Sequence, residues 1–266
     1  MSDLVKILAR PKLNFPNMIA AWPGIANVPL LVANYLEKKL DFKPLAEIEP
    51  SYFFDPIGVK VRNNVVEAPQ FPQSRFLYWK NKNGGSDLIL FIGDDQPATK
   101  GYELANCVID VALKYRVHRI YTLAAAKTRM HHTEQPKVWG VATVPELTPE
   151  LKKYDLVQRG NMQISGLNGI LLGVAKERGV DGICLLGEVP GYVSRIQNPM
   201  AALAILGVLP KMLGIEIDTF ELAQIATETS QQVKEAAAEA MGEYIDLFTE
   251  PIWEQGQEGD EEEDEV

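Results

Sequence analysis

Six side chains stand where chemistry could be done: Asp94, Asp95, Lys127, Thr128, Ser165 and Glu188. Five of them follow short continuous apolar runs: LILFIG before Asp94 and Asp95, IYTLAAA before Lys127 and Thr128, ICLLG before Glu188. Strands buried on both faces read like that. In parallel sheets, ligands gather beyond the carboxyl ends of the strands. Lys127 and Thr128 have the chemistry to hold a phosphate or carboxylate. Asp94, Asp95 or Glu188 could hold a ribose or a hard cation, which takes oxygen ligands. Ser165 opens a helical run, and its hydroxyl can accept a bond from a first-turn N–H. The partial positive charge of that helix start would favour an anion. With Trp22-Pro23-Gly24 these loops would share one rim and make a shallow polar pocket. The competing use of the same residues is structural: they cap helices and close turns, and Asp94 and Asp95 are placed to cap the helix near Thr99.

Motif checks narrow the chemistry. Gly166, Gly169 and Gly173 do not form a dinucleotide fingerprint, since two of them fall inside the helix, four apart. The chain has no GxxxxGK phosphate loop and no GxSxG nucleophile elbow; Gln163 stands where the first glycine would be. His131 and His132 are adjacent, so they would rarely face one ion, and His118 is the only other histidine. A phosphate-using enzyme needs converging bases, and only Lys127, Arg129 and Arg195 offer themselves. No catalytic residue, metal or cofactor is assigned.

The elements that must position these residues are legible from punctuation and period. Met18–Ala21 reads as the first core strand, with a helix from about Ala26 to Lys39 carrying Pro29 in its first turn. From Phe42 to Lys80 short β-rich pieces are divided by prolines, with an Asn63-Asn64 hairpin turn. A strand over Asp87–Gly93 precedes a helix from Thr99 to about Arg116, with Tyr102 and Leu113 inward. Strands follow at Arg119–Ala126 and Val138–Thr143, a short helix at Pro145–Lys153, and a short strand at Asp155–Gln158. The stretch Ile164–Tyr192 reads as helix, stop at Gly179, buried strand Ile183–Leu186 broken at once by Gly187, then a glycine-proline loop. Pro199–Leu213 is helical. Asp218 caps a last helical run to Phe248, weakened or split at Thr227–Gln232. Strands alternating with helices predict a largely parallel sheet covered on both sides. The expected layout is a core domain over 1–214, a helical region over 215–250 and an acidic disordered tail over 251–266.

Bulk composition fits a soluble globular chain of 266 residues, 46% hydrophobic and 23% charged. No run approaches the ~20 apolar residues that span a bilayer. The stretch between Asp3 and Arg10 is too short for an export signal, so a cytoplasmic location is expected. Cys107 and Cys184 sit apart in apolar contexts and read as buried thiols, not a disulfide. The net charge of −10 is concentrated at the end: EGDEEEDEV holds seven carboxylates, and without it 26 basic face 29 acidic residues. No basic stripe exists, which argues against a nucleic-acid partner.

The segments SGLNGILLG, GEVPGY and NPMAALAIL, with PNMIAAWPGI before them and DLILFIGDDQP between, resemble the proteasome assembly chaperone 2 family. The resemblance runs from roughly Asn17 to Leu213. It implies a three-layer α/β/α sandwich similar to the nucleoside phosphorylase/hydrolase-like fold, self-assembly and no established catalysis. Two functions follow as expectations. The first, taken forward, is a non-catalytic self-assembling interaction protein with a possible protein partner. The second is an enzyme or sensor binding a small anionic, nucleotide-like ligand at the rim. Phe53, Phe54, Phe71, Phe76 and Trp79 are expected to supply the interface of a trimer or tetramer. Some chaperones of the family dock through a final hydrophobic-tyrosine-any tail. This sequence reads Asp264-Glu265-Val266 there, so docking of that kind is not expected, and the acidic tail is expected to stay solvated.

Overall fold

The structure is a computed structural model that describes residues 4–158 and 161–249. Its strands are β1 (Val5–Ile7), β2 (Asn17–Ala21), β3 (Lys43–Ile48), β4 (Val61–Arg62), β5 (Val65–Val66), β6 (Ser74–Trp79), β7 (Leu88–Gly93), β8 (Arg119–Thr128), β9 (Val138–Ala142) and β10 (Gly182–Pro190). Its α-helices are α1 (Val28–Lys39), α2 (Gly101–Lys114), α3 (Thr148–Lys153), α4 (Gly166–Glu177), α5 (Pro199–Leu213) and α6 (Phe220–Thr249).

Among the described residues eight strands form one sheet, in the order β1-β3-β6-β7-β2-β8-β10-β9. The four central strands β7, β2, β8 and β10 are mutually parallel, and the flanking pairs are antiparallel. Five of the eight strands, β3 and those four, therefore point the same way. The central strands are buried on both sides, which is why they read as unbroken apolar runs. Alternation splits their side chains between two cores. Ile19, Leu90, Leu123 and Leu185 face α1 and α5, whereas Met18, Phe91 and Ile120 face α2 and α4. The result is a three-layer α/β/α arrangement.

Several expectations change at this level. The strand predicted to end at Leu186 runs on to Pro190, and β8 runs on to Thr128, because the two pair in register from Ile120/Gly182 to Thr128/Pro190. Gly187 is thus a strand residue; a Cβ there would lie 2.7 Å from the Ala201 carbonyl oxygen, so its bareness lets α5 approach. The first helix starts at Val28, not Ala26, because Ala26 and Asn27 take positive φ of 51° and 53°. Tyr102 and Leu113, expected inward, are exposed. The Asp155–Gln158 strand is reduced to one bridge, Trp139 to Val157. The weak stretch Thr227–Gln232 does not split α6.

The aromatics expected at a subunit interface are used inside the chain. Phe53, Phe54 and Phe76 are buried, with Phe71 packed against the same core and Trp79 against the opposite one. What the proline-rich segment leaves outside is aliphatic. β4 and β5 form a separate two-stranded ribbon, turned by Asn63 and Asn64 at φ 50° and 62°. Positive φ at both central residues is what a type I′ hairpin turn demands, and asparagine tolerates it.

At the far end, α6 is tied to α1. Tyr35 Oη donates to the Asp218 carbonyl oxygen at 2.8 Å, and Lys38 and Lys39 pair with Glu221 and Asp218. Leu222 and Ala226, on α6 itself, are buried. The acidic segment 251–266 lies outside the described residues. Among those residues, no helix is long and apolar enough to cross a membrane.

Candidate functional site

The carboxyl rim of the parallel strands resolves into two groups of polar residues. The first lies beyond β7 and β2. The side-chain amide of Gln96 donates from Nε2 to the Pro23 carbonyl oxygen at 2.6 Å. Its Oε1 accepts from the Leu167 N–H at 2.8 Å. One carboxamide thus clamps the loop after β2 to the start of α4. Gly166 has φ 74°, and a Cβ on it would meet Gln96 Oε1 at 2.6 Å, so glycine is required there for both conformation and space.

That clamp corrects the role predicted for Ser165. Ser165 sits at the N-cap position of α4, but its side chain makes no capping bond; Gln96 takes the Leu167 N–H instead. Asp94 and Asp95 do not cap α2 either. Asp94 forms a reciprocal pair with Gln73: its N–H donates to the Gln73 carbonyl oxygen, and its Oδ2 accepts from the Gln73 N–H at 3.0 Å. Asp95 Oδ1 accepts from the Gln96 N–H at 2.7 Å, which steadies the clamp. Helix α2 begins after Lys100, which takes φ 60° and contributes no side-chain cap.

Two buried polar atoms beside this group lack partners, Trp22 Nε1 and Asn168 Oδ1. Trp22 packs on Phe91 with ring centroids 4.7 Å apart. Its indole edge would collide at 2.4 Å with any Cβ on Gly93. A groove of about 420 Å³ runs outward past Asp95 to Tyr52, Phe54 and Lys100. Lys100 Nζ donates to the Tyr52 carbonyl oxygen at 2.7 Å and lies 3.7 Å from the Tyr52 ring centroid, a cation–π arrangement.

The second group sits at the ends of β8 and β10. Lys127 and Glu188 are on adjacent strands but not on one face. Lys127 is in register with Val189, and Glu188 with Ala126, so alternation turns them to opposite sides of the sheet. The Glu188 carboxylate accepts from the Lys137 N–H at 3.0 Å and the Trp139 indole N–H at 2.8 Å, fastening the edge strand β9. Lys127 is exposed, and Thr128 Oγ1 accepts from the Met130 N–H. Arg129 and Arg195 are also exposed.

The histidine pair lies nearby, bonded to protein groups. His131 Nδ1 bonds with Thr133 Oγ1 at 2.7 Å. The Tyr192 hydroxyl accepts from the His132 N–H and pairs with His132 Nδ1, both at 3.0 Å. Desolvation, then the neighbouring His131 and the Lys234 ammonium on α6, hold the His132 pKa below its ordinary value. A cavity of about 20 Å³, room for roughly one water, is lined by His132, Pro190, Asn198 and Ser230. No group of three His, Cys, Asp or Glu able to hold a metal occurs among the described residues. Cys107 and Cys184 are buried and form no disulfide. Burial pushes the Cys184 thiol up to about 12, the Thr122 hydroxyl pulling weakly the other way.

Sequence reasoning placed the loops after β2 and β7, took the ends of β8 and β10 for loops, and missed Gln96, Trp22, Asn168 and the His132–Tyr192 bond. Their one advance signal was that Gln96 and Trp22 stand in the predicted strand-end loops. Nothing local marks them as partners of residues sixty or more positions away.

The family model for the PAC2 family matches residues 18–237. An uncharacterised protein of Methanocaldococcus jannaschii is 28% identical over 242 residues, which are 88% of this chain and 90% of that one. The crystal structure of Pyrococcus furiosus PbaB, described as an archaeal proteasome activator, is 32% identical and superposes with a TM-score of 0.76, covering 88% of this chain and 98% of PbaB. P. furiosus PbaA, an archaeal homologue of proteasome-assembly chaperone, is 26% identical with a TM-score of 0.67, covering 89% and 99%.

Proposed function

The chain belongs to the PAC2 family, and from that premise we propose that it is a non-catalytic, self-assembling interaction protein whose partner is the proteasome core particle. The observation that carries this reading is the match to PbaB, an archaeal proteasome activator, at 32% identity over 98% of that chain. The use of the rim residues supports it. Asp94, Asp95 and Glu188 accept backbone or indole N–H groups, and Lys127 stands on the opposite face of the sheet from Glu188. The test is co-migration of the purified protein with an archaeal 20S core particle on size exclusion, together with peptide hydrolysis by that particle. Co-elution with changed hydrolysis is the expected outcome. Separate elution at micromolar concentration with unchanged hydrolysis would sink the reading.

A second reading keeps a small polar ligand at the Gln96 group, where Asp95 and Ser165 stand beside the clamp. It is favoured by the two unpartnered buried atoms, Trp22 Nε1 and Asn168 Oδ1, since such atoms ordinarily find a partner. Native mass spectrometry after incubation with a metabolite extract tests it. A retained molecule lost in Asn168→Leu supports the site, and a bare protein mass removes it.

A further inference from the structure

Helix α6 brings the chain back to the rim where β8 and β10 end. Helix α1 leaves that rim at Val28 and finishes at the opposite one, where its Lys38 and Lys39 hold Glu221 and Asp218. From there α6 returns, and Ala226, Thr229 and Ser230 line the small cavity beside His132. The strand-end loops at this point are basic. Lys127 and Arg129 stand where β8 ends, and Arg195 stands in the connection from β10 to α5. That connection crosses the end of β8: Pro190 pairs with Thr128, and the Ser194 carbonyl oxygen accepts from the Ala26 N–H in the loop after β2. Lys234 follows one turn past Ser230 and acts on His132, whose pKa is held down by desolvation, then His131, then this ammonium. Lys127, Arg129, Arg195 and Lys234 are exposed, and none has a carboxylate partner among the described residues. Glu134 and Glu188, at the same strand ends, accept N–H groups of the protein. On α6, the helical period turns Glu228 and Glu235 away from the side that carries Ala226 and Ser230.

We propose that this basic rim is the docking site of the chain's own acidic segment 258–265, which lies across it as a salt-sensitive strap. Charge, reach and tethering select that occupant. The segment carries seven carboxylates and no base, and the rim offers four cations without partners. Past Ser230, α6 continues to Thr249, about 28 Å at the helical rise. The eleven residues from Thr249 to Asp260 can span at most about 36 Å of extended chain, so Asp260 and the carboxylates after it can return to the rim. A segment tethered within reach is present at an effective concentration on the order of millimolar, which a free anion would have to supply for itself. The contact is between exposed charges, so it weakens with salt. Its consequence is competitive: a phosphate or an acidic peptide reaches Lys127, Arg129 and Arg195 only by displacing the strap. In sequence the same segment reads as solvated, because nothing local shows that α6 regains the rim beside unpaired cations. The inference stands apart from the proteasome reading above.

The test is carbodiimide cross-linking of the full chain, which joins an ammonium to a carboxylate in contact with no spacer between them, followed by mass spectrometry of the linked peptides. Lys82 is the control, an exposed lysine in the turn before β7 and so at the opposite rim. At low salt, links from Lys127 and Lys234 to the carboxylates of 258–265 should exceed those from Lys82 by about fivefold, a ratio that surface ion pairs of ordinary strength sustain. At 1 M salt, where the screening length is about 3 Å, they should fall toward the Lys82 level. Arg129→Gln/Arg195→Gln changes two exposed positions and keeps both lysines; the rim links should drop while the circular dichroism melting temperature stays unchanged. Equal links at Lys82 and the rim, or rim links untouched by salt and by the arginine variant, overturn the strap. An equilibrated mixture of light and heavy-isotope chains identifies the donor. Links within one isotope support the contact as stated, and mixed-isotope links overturn it in favour of a strap supplied by a neighbouring copy.

Discussion

Helices α4 and α5 both start at the carboxyl rim of the sheet, yet they are capped in opposite ways. Helix α5 is capped from within its own sequence: Asn198 Oδ1 accepts from the Ala201 N–H at 3.0 Å, and Pro199 fills the first position. Helix α4 is capped from 71 residues away by Gln96, while the serine at its own N-cap stays unbonded. A helix start supplies free N–H groups, and something must satisfy them. Local capping makes a helix self-sufficient. Remote capping makes it part of a joint, here between the loop after β2, the loop after β7 and α4. The same joint bears on function, because a ligand anion approaching α4 through the Leu167 N–H would first have to displace the Gln96 carboxamide.

The largest effect should come from breaking the remote cap. Gln96→Ala leaves the Leu167 N–H and the Pro23 carbonyl without their partner, and the expected loss is about 2 kcal/mol of unfolding free energy in urea. Gln96→Glu sharpens the point. The carboxylate still accepts from Leu167 but turns an anion toward the Pro23 carbonyl, so stability should partly return on acidification, when the protonated carboxyl can donate. A loss below about 0.5 kcal/mol in Gln96→Ala would mean the joint is held by packing alone. For the local cap, Asn198→Ala should cost about 1 kcal/mol, the usual range for an N-cap substitution. If it costs more than Gln96→Ala, the ranking of the two starts is inverted.

How much could be read in advance follows the same division. Features whose cause lies within a few residues were legible: the stop at Gly179 (φ 68°), the Asn63-Asn64 turn, Pro29 in the first turn of α1, the buried apolar strands, and the family resemblance. Features fixed by register between distant strands were not. Lys127 and Glu188 were assigned to loops because their apolar runs stop there, at Lys127 itself and at Gly187. The ladder between β8 and β10 carries both strands past that point and sends the two side chains to opposite faces. The aromatics of the proline-rich segment looked like an interface because nothing local shows that Phe76 will share a core with the α2–α4 layer. The valines beside them, unremarkable as a hairpin, are what stays outside.

A third helix start responds to pH. Asp218 Oδ1 accepts from the Phe220 N–H at 3.0 Å, and this bond, followed by Lys39, holds its pKa below the ordinary value. Glu221 is depressed by Lys38 first, then Lys39. A depressed carboxylate stabilises the fold above its unfolded pKa and loses that contribution as pH falls through its folded pKa. The docking of α6 on α1 should therefore hold at neutral pH and weaken below the ordinary carboxylate range. Both groups are exposed, so the effect is modest. Amide exchange over Phe220–Ala226 should accelerate at pH 3 relative to the central strands, after correction for the intrinsic rate. Equal protection at both pH values would show that Leu222 and Ala226 alone anchor the helix.

The smallest effect is expected at Ser165, and its smallness is the informative part. A serine at an N-cap ordinarily contributes about 1 kcal/mol, through a hydroxyl that accepts from the second or third N–H of the helix. Here the Leu167 N–H already donates to Gln96 at 2.8 Å, and the serine side chain makes no capping bond. Ser165→Ala should then leave the urea midpoint unchanged, to within about 0.5 kcal/mol. In a Gln96→Ala background the N–H is freed, and the hydroxyl acquires something to bond. The same Ser165→Ala substitution should there cost about 1 kcal/mol. That difference is a coupling energy, which independent sites would not show. If Ser165→Ala costs about 1 kcal/mol in both backgrounds, the serine is an ordinary local cap, α4 starts as α5 does, and Gln96 serves only to hold the loop after β2.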